Sequence, residues 1–163
     1  MKRYIQAKVK GISKEDVKIR RLLAMDPRLS SRELTMLSRD RSYDVRVRVA
    51  ENPNTPAEVL SSLAHDKEYL VRESVALNPN TPVDILLWLS DDIELVRANV
   101  AANSNTPVDI LRELAMEKSI YVRAGVARNP NAPADLLEKL ICDKVKYVAD
   151  EARRNPNSNY QEA

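Results

Sequence analysis

Apolar residues recur along this chain at intervals that suit one face of an α-helix. Within each set the offsets are 0, 1 and 4, extended to 5 in three of the four sets, and such offsets form a single stripe on a helix. On a β-strand the same offsets would scatter over both faces. The sets lie at 59–64, 85–89, 110–115 and 136–141. This pattern predicts four short amphipathic helices in regular succession.

A second apolar pattern alternates with the first. It is represented by Val71, Val75 and Ala76, and it recurs with first residues at 45, 96 and 122. Each such segment spans about three helical turns at most, which is too short for a stable isolated helix in water. Because neither kind of segment can bury its apolar face alone, the alternation predicts two-helix units that stack on their neighbours. We call the segment that opens with a Val-Arg pair the Val-Arg helix.

A polar turn joins each Val-Arg helix to the next helix, and its register is nearly constant. The first asparagines of these turns are separated by 26, 25, 26 and 26 residues. We call them the asparagine series: Asn52, Asn78, Asn103, Asn129 and Asn155. A fixed period in this range is typical of a repeat array. All nine prolines fall in the predicted turns, where proline favours extended backbone in the residue before it.

The helix after each turn, which we call the Thr-Pro helix, has a clear start signal. Thr81 is predicted to be the N-cap, with its hydroxyl accepting a bond from a free backbone N–H, and Pro82 is predicted at the first helical position. Asp84 then lies where a carboxylate favours the positive end of the helix dipole. Ser30 and Glu33 match a capping box without proline. Each turn therefore predicts a helix stop followed directly by a helix start.

These signals divide the chain into one repeat domain with short ends. Repeat units are predicted to start near residues 19, 45, 71, 96, 122 and 148, and the last unit is polar enough to serve as an end cap. The repeat domain covers residues 19–158, residues 1–18 form a basic leader or N-terminal cap, and residues 159–163 form a tail. The predicted fold is all-α, with two-helix repeats of about 26 residues.

The repeat grammar resembles that of the leucine-rich repeat variant family. The residues that carry the resemblance are Val71-Arg72, Val75-Ala76, Asn78-Pro79-Asn80-Thr81-Pro82, Leu60, Leu63-Ala64 and Asp66, and it covers about residues 19–158. It implies a right-handed superhelical α-solenoid of alternating α and 3₁₀ helices, without a sheet. It also implies that the longer helix follows Thr-Pro and that the Val-Arg helix is the shorter one, whose geometry, 3₁₀ or α, the spacing leaves open. The iron–sulfur cluster of a founding member with a cysteine-rich leader does not carry over, because Cys142 is the only cysteine.

Composition and charge narrow the class of protein. Hydrophobic residues make up 44% of the chain, no apolar run is long enough to span a bilayer, and no signal-peptide pattern opens the chain. We therefore expect a cytoplasmic protein without a membrane partner. Residues 1–28 hold nine basic and three acidic side chains, in a chain whose net charge is only +2. A basic leader favours anionic partners, and solvated charge that maintains solubility is the alternative interpretation.

Arginines recur beside the first apolar residue of successive Val-Arg helices. We call them the arginine series: Arg20, Arg46, Arg72, Arg97 and Arg123. In the structural interpretation, each guanidinium pairs with an acidic or turn group of its own or the next unit, for instance Asp40, Asp66, Asp92 or Asp143. In the functional interpretation, the series is a row of cations that follows phosphates or an acidic peptide. The asparagine series has two similar interpretations, and local turn bonds are favoured over binding of an extended peptide.

Aromatic side chains are the other candidates for binding. Four tyrosines recur just before the Val-Arg step, at slightly shifting offsets: Tyr43, Tyr69, Tyr121 and Tyr147. Packing between units with the hydroxyl at the surface is favoured over base stacking, which requires aromatics interleaved with cations, as around residues 43–48. Trp88 takes the place of Ser62 on the outer side of its helix, which makes it a candidate contact.

No motif for catalysis is evident in the sequence. His65 is the only histidine, and it lies at a helix end beside Asp66, where a surface histidine is the favoured interpretation. No spacing indicates a metal site, a nucleotide loop or a nucleophile with its base, so we expect no cofactor and no small-molecule substrate.

The leading hypothesis is a non-enzymatic scaffold that binds another macromolecule, in the first place a protein, along a concave face. The alternative is nucleic-acid binding through the basic leader and the arginine series. A DNA-processing enzyme on a helical-repeat scaffold is a weaker alternative. The candidate binding surface comprises Arg46, Arg72, Arg97, Arg123, Tyr43, Tyr69 and Trp88.

Overall fold

The computed structural model describes residues 16–160, and every regular element within them is an α-helix. The eleven helices are α1 (Val17–Ala24), α2 (Ser31–Leu37), α3 (Tyr43–Glu51), α4 (Ala57–Leu63), α5 (Tyr69–Leu77), α6 (Val83–Leu89), α7 (Glu94–Ala102), α8 (Val108–Leu114), α9 (Ile120–Arg128), α10 (Ala134–Ile141) and α11 (Lys146–Arg154). The predicted all-α helical repeat fold is confirmed. Because residues 1–15 and 161–163 lie outside the described residues, the predicted limits of the leader and the tail stay predictions.

The two kinds of helix alternate as predicted, but their relative lengths do not follow the resemblance. The Val-Arg helices α3, α5, α7, α9 and α11 each have nine residues. The Thr-Pro helices α4, α6 and α8 have only seven. The Val-Arg helix is thus the longer one, and it is α rather than 3₁₀.

The ends of the Thr-Pro helix explain why it is short. A proline precedes its first residue, and the chain leaves its last residue in a tight turn, where the Asp66 N–H donates to the Leu63 carbonyl at 3.0 Å. This bond has the i→i+3 spacing of a 3₁₀ turn. The proline and the turn together limit the helix to about two turns.

The helices group into two compact units, residues 1–82 and residues 83–163. The described part of unit 1 contains α1–α5, and the described part of unit 2 contains α6–α11. Within unit 1, the Val-Arg helix α3 contacts both α1 and α5. Within unit 2, α9 contacts both α7 and α11. Successive Val-Arg helices therefore pack side by side in each unit.

The core of each unit is formed by the apolar sets that the sequence indicates. In α3, Val45 and Val49 are fully buried, and in α4 Leu60 is fully buried beside Leu63. Burial of each such side chain contributes about 1.5–3 kcal/mol. The corresponding valines and leucines of unit 2 are buried in the same way: Val96, Val100, Val122, Val126, Leu111, Leu114, Leu136, Leu137 and Leu140.

The threonine of each turn has a different role from the predicted one. Its hydroxyl donates to a carbonyl near the end of the preceding Val-Arg helix, in the pairs Thr55–Val49, Thr81–Val75 and Thr106–Val100, with distances of 2.5, 2.6 and 2.5 Å. The N-cap position belongs to the following proline, as at Pro56 and Pro107, and these two caps make no side-chain bond. The predicted threonine N-cap and helical first-position proline are therefore wrong. The buried hydroxyl satisfies a carbonyl at the end of one helix rather than an N–H at the start of the next.

The capping box at the start of α2 is confirmed. The backbone N–H of Ser30 donates to the Glu33 carboxylate at 2.8 Å, and the N–H of Glu33 donates to the Ser30 hydroxyl at 3.4 Å. The two residues thereby satisfy backbone donors that would otherwise be free at the helix start.

The asparagine series links successive repeats as well as shaping the turns. In unit 2, the side-chain amide of Asn129 donates to the carbonyls of Ala101 and Asn103, at 2.8 and 2.7 Å. Its Oδ1 accepts from the N–H of Asn131 at 2.8 Å, which is the local turn bond that the sequence indicates. The amides of three other members reach the preceding repeat in the same way: Asn52, Asn78 and Asn155. The series is therefore structural, and it acts between repeats as well as within a turn.

Gly125 allows two Val-Arg helices of unit 2 to approach closely. A Cβ atom added at this position would overlap the carbonyl oxygen of Ala98 and lie 2.9 Å from the Cβ of Ala101. Both alanines belong to α7, whereas Gly125 belongs to α9. The backbones of these two helices therefore pack against each other without an intervening side chain at this point.

Candidate functional site

The arginine series lies where each Val-Arg helix meets the turns around it, and Arg46 shows the geometry. Its Nε and Nη2 donate to the two carboxylate oxygens of Asp66, at 2.5 and 2.9 Å. Its Nη1 donates to the backbone carbonyls of Asp40 and Arg41, at 2.8 and 3.3 Å. The side chains of Arg46 and Asp66 are only 10% and 9% exposed. This guanidinium therefore connects two turns of unit 1.

Three further members of the series make the same bidentate pair with a carboxylate 20 residues further along the chain. The pairs and their two distances are Arg20–Asp40 at 2.6 and 3.2 Å, Arg97–Glu117 at 2.9 and 2.7 Å, and Arg123–Asp143 at 2.6 and 3.1 Å. Arg72 donates to the backbone carbonyls of Asp66 and Lys67, at 2.8 and 3.3 Å. These contacts match the structural interpretation of the arginine series.

Hydrogen bonds keep both partners charged in the Arg46–Asp66 and Arg123–Asp143 pairs. The hydrogen bond from Arg123 is the main cause that lowers the pKa of Asp143 below its ordinary value, while burial opposes it. At Asp66, burial acts to raise the pKa, but the bonds from Arg46 and from the Glu68 N–H outweigh burial, so the pKa is lowered. The same side-chain bonds raise the pKa of Arg46 and of Arg123. Each pair is therefore ionised at neutral pH.

These contacts bear directly on phosphate binding by the arginine series. A row of cations that follows a nucleic-acid backbone needs guanidinium groups with donors directed to solvent. Arg46 and Arg123 are instead buried and bound to carboxylates, and Arg97 is mostly buried in its pair with Glu117. Much of the positive charge of the series is therefore neutralised inside the fold.

Tyr43 and Tyr69 lie on the surface of unit 1, as the first residues of α3 and α5. Each is 41% exposed, so part of each ring packs against the fold and part faces solvent. On the same helix as Tyr43, Arg48 donates to Glu51 at 2.6 Å. This ion pair occupies the cation that base stacking around residues 43–48 would use.

In unit 2, Tyr121 and Tyr147 are also exposed on Val-Arg helices. The hydroxyl of Tyr147 accepts a bond from the Arg128 guanidinium at 3.3 Å, and Arg128 also lies 3.9 Å from the Glu151 carboxylate. The expected surface position of the tyrosine hydroxyl holds for Tyr147, which is bonded to an exposed arginine.

Trp88 lies on the exposed side of α6, where it is 47% exposed. The structure adds three exposed apolar side chains of unit 2 that the sequence analysis did not single out, namely Val83 and Leu87 on α6 and Val108 on α8. The sequence signal that could have identified Leu87 is an apolar residue at a repeat position that is polar in another repeat. The equivalent residue of α4 is Ser61. Unit 2 therefore carries an apolar surface as well as an exposed tryptophan.

The described residues bear on two further properties, metal binding and membrane spanning. No group of three or more His, Cys, Asp or Glu side chains within residues 16–160 is placed to hold a metal ion. His65 is exposed after the end of α4, in agreement with its predicted surface position. Among the same residues, no helix combines the length and the apolar character that are needed to cross a bilayer.

Comparison with known proteins agrees with the repeat pattern. Residues 43–68 and 122–144 match the family model described as leucine rich repeat variant. A solved structure described as "a leucine-rich repeat variant with a novel repetitive protein structural motif" is similar over 93% of this chain, with a TM-score of 0.66 and 29% sequence identity. The chain spans 61% of the length of that structure. No curated protein matches the sequence.

Proposed function

We propose that this chain, which matches the leucine-rich repeat variant family at residues 43–68 and 122–144, is a non-enzymatic scaffold that binds another protein through exposed aromatic and apolar side chains on its helices. The candidate contacts are Tyr43 and Tyr69 in unit 1 and Trp88 in unit 2. Binding along a concave face stays a prediction of the sequence analysis.

The observation that carries this proposal is a contrast between two sets of recurring residues. The recurring polar residues are bonded within the fold, as Arg46 is to Asp66 and Asn129 is to Ala101. The recurring aromatic residues instead leave much of their rings in solvent, as Tyr43 does. Aromatic side chains provide large contact areas at a small cost in conformational entropy, and they dominate many protein interfaces.

Nucleic-acid binding has less support from the geometry. Its main argument is the arginine series, and Arg20, Arg46, Arg97 and Arg123 are bound to carboxylates. The remaining argument is the basic residues near the start of the chain, of which residues 1–15 lie outside the described part. We therefore treat nucleic-acid binding as an outcome that the experiment must separate from protein binding.

The experiment is quantitative capture of proteins from a cell extract by the immobilised full-length chain. The variant is Tyr43→Ala with Tyr69→Ala, and the matched control is Glu58→Ala with Ser61→Ala on α4 of the same unit. The tyrosine variant should retain at least about tenfold less of the proteins that the unaltered chain and the control capture. The reason is that truncation of an aromatic anchor costs more than about 1.4 kcal/mol of binding free energy. Equal retention by all three chains would contradict the proposal. Retention that nuclease treatment abolishes would indicate nucleic-acid binding instead.

A further inference from the structure

Four apolar side chains are exposed on two successive Thr-Pro helices of unit 2. Val83, Leu87 and Trp88 of α6 are 46%, 41% and 47% exposed, and Val108 of α8 is 39% exposed. The three residues of α6 have offsets of 0, 4 and 5, which share one helix face, while Leu86 and Leu89 of the same helix are fully buried. We call Val83, Leu87, Trp88 and Val108 the apolar patch.

The repeat register places Leu87 on the side of α6 that faces α8. One repeat further along, Arg112 of α8 is bonded to Asp135 of α10 at 2.8 and 3.1 Å, so consecutive Thr-Pro helices bring these two positions together. The equivalent positions one repeat earlier are Leu87 and Asp109, and Asp109 directly follows Val108. Leu87 therefore takes the place of an arginine that would span the two helices, and it presents an apolar side chain toward α8.

The stretch that carries the patch is strongly acidic. Residues 83–117 contain seven acidic side chains and only two basic ones, Arg97 and Arg112. Both arginines are bonded to carboxylates, Arg97 to Glu117 and Arg112 to Asp135. The acidic residues are Asp84, Asp91, Asp92, Glu94, Asp109, Glu113 and Glu117. Exposed carboxylates thus alternate with the apolar side chains, as Asp84 does beside Val83 and Asp109 beside Val108.

We propose that the apolar patch docks a cationic amphipathic segment of a partner protein. The proposal rests on the proposed function, because it specifies the kind of protein that unit 2 binds. Leu87 and Trp88 supply the apolar anchors, and tryptophan is a frequent source of binding energy at protein interfaces. An amphipathic helix presents its apolar residues at the i, i+3, i+4 and i+7 spacing that such a patch fits.

Charge selects the partner. Lysines or arginines on the flanks of the docked segment meet Asp84, Asp109 and Glu113, which favours encounter and orients the segment. The same carboxylates repel phosphate backbones and anionic lipid surfaces, which disfavours these as ligands of the patch. The partner is therefore defined by two features together, an apolar helical stripe and flanking positive charge.

Trp88 provides the readout, because it is the only tryptophan in the chain. The probe is a synthetic helical peptide of about 14 residues with leucine at the apolar positions and lysine at the others, titrated into the full-length chain. Docking should shift the Trp88 emission to shorter wavelength with a saturable response. The dissociation constant should rise at least about threefold when the salt concentration rises from 50 to 200 mM, because the flanking charges become screened.

Matched variants locate the site. Leu87→Ser introduces the residue that α4 carries at this position, and it should weaken peptide binding at least about tenfold. Glu138→Ser changes the equivalent position of α10 and should leave binding within about twofold. Because both positions are exposed, the far-ultraviolet circular dichroism of both variants should match that of the unaltered chain.

Several results would overturn the proposal. They are the absence of an emission shift at millimolar peptide, equal binding of a peptide with glutamate in place of lysine, or unchanged binding by Leu87→Ser. None of these results would affect the capture experiment on Tyr43 and Tyr69, because those residues belong to unit 1. Failure of this inference is therefore distinguishable from failure of the proposed function.

Discussion

The guanidinium of Arg123 binds both carboxylate oxygens of Asp143, at 2.6 and 3.1 Å, although the two residues are 20 positions apart. The same guanidinium donates to the backbone carbonyls of Glu117 and Lys118, at 2.8 and 2.9 Å. One side chain thereby joins the turn before its own helix to the turn before the next Val-Arg helix. The regular arginines of this chain hold neighbouring repeats together.

Acid should destabilise the fold through the paired aspartates. The pKa values of Asp40, Asp66 and Asp143 are lower in the folded chain than the value of about 3.9 for an unfolded aspartate, so the unfolded chain binds protons first as the pH falls. The free energy of unfolding should change little from about pH 7 to 5 and should decrease from about pH 4 downward. Urea denaturation at a series of pH values measures this. The decrease in the free energy of unfolding below about pH 4 should be smaller for Asp143→Asn than for the unaltered chain. An equal decrease in the two proteins would contradict the account.

The asparagine series should contribute more to stability than an exposed asparagine. Asn129→Ala removes the bonds to the carbonyls of Ala101 and Asn103 and the bond from the Asn131 N–H, all at a fully buried position. Loss of these partners should lower the free energy of unfolding by about 2–4 kcal/mol. The control is Asn159→Ala. Because the Asn159 side chain is exposed, this substitution should change the free energy of unfolding by less than about 0.5 kcal/mol. Equal effects of the two substitutions in chemical denaturation would refute this role.

Gly125→Ala should destabilise the protein, although alanine is the better helix former by about 1 kcal/mol. The added Cβ would overlap the Ala98 carbonyl oxygen, which belongs to the backbone of α7 and is held by that helix. The two helices must move apart to remove this overlap. We therefore expect the free energy of unfolding to decrease by about 1–3 kcal/mol. Thermal and urea denaturation give the sign directly. A stabilised variant would mean that α7 and α9 are not in close contact at this point.

Ala132→Thr should stabilise unit 2. Ala132 occupies the position at which other turns place a threonine whose hydroxyl donates to a valine carbonyl, as Thr106 does to Val100. The new hydroxyl would donate in the same way to the carbonyl of Val126, which contributes about 0.5–1.5 kcal/mol. Ala132→Val provides the isosteric control without a hydroxyl. If valine stabilised the fold as much as threonine, the effect would come from packing and the assigned hydrogen bond would be wrong.

Much of the fold could be predicted from the sequence because its signals are local. The offsets of the apolar residues predict both the helices and their buried faces, since the side chains of one stripe enter one core. Pairing of the arginines with Asp40, Asp66 and Asp143 was among the alternatives, because a planar guanidinium suits a carboxylate. Glu117, which replaces aspartate as the partner of Arg97, was missed. Its position follows the same 20-residue spacing, so the register could have identified it.

Two further differences from the sequence analysis concern distances between repeats. The direction of the Thr81 hydroxyl depends on how closely the turn folds back on the end of α5, and helix-start rules do not contain that information. The bonds from Asn129 to the preceding repeat likewise depend on how the two turns pack. The sequence analysis does not single out Leu87, Val83 and Val108, because single exposed apolar residues are common and only the folded helices show which apolar residues stay exposed.

A double-mutant cycle on Arg123 and Asp143 tests the central claim most directly, which is that the recurring arginines hold repeats together. The free energy of unfolding is measured for the unaltered chain, Arg123→Met, Asp143→Asn and the double variant. Each single change leaves an uncompensated partner in a pair whose side chains are both 8% exposed, so each should cost about 3–5 kcal/mol. The double variant should cost at least about 1.5 kcal/mol less than the sum of the two. A coupling within about 0.5 kcal/mol of zero, as expected for an exposed pair such as Arg112–Asp135, would contradict the account.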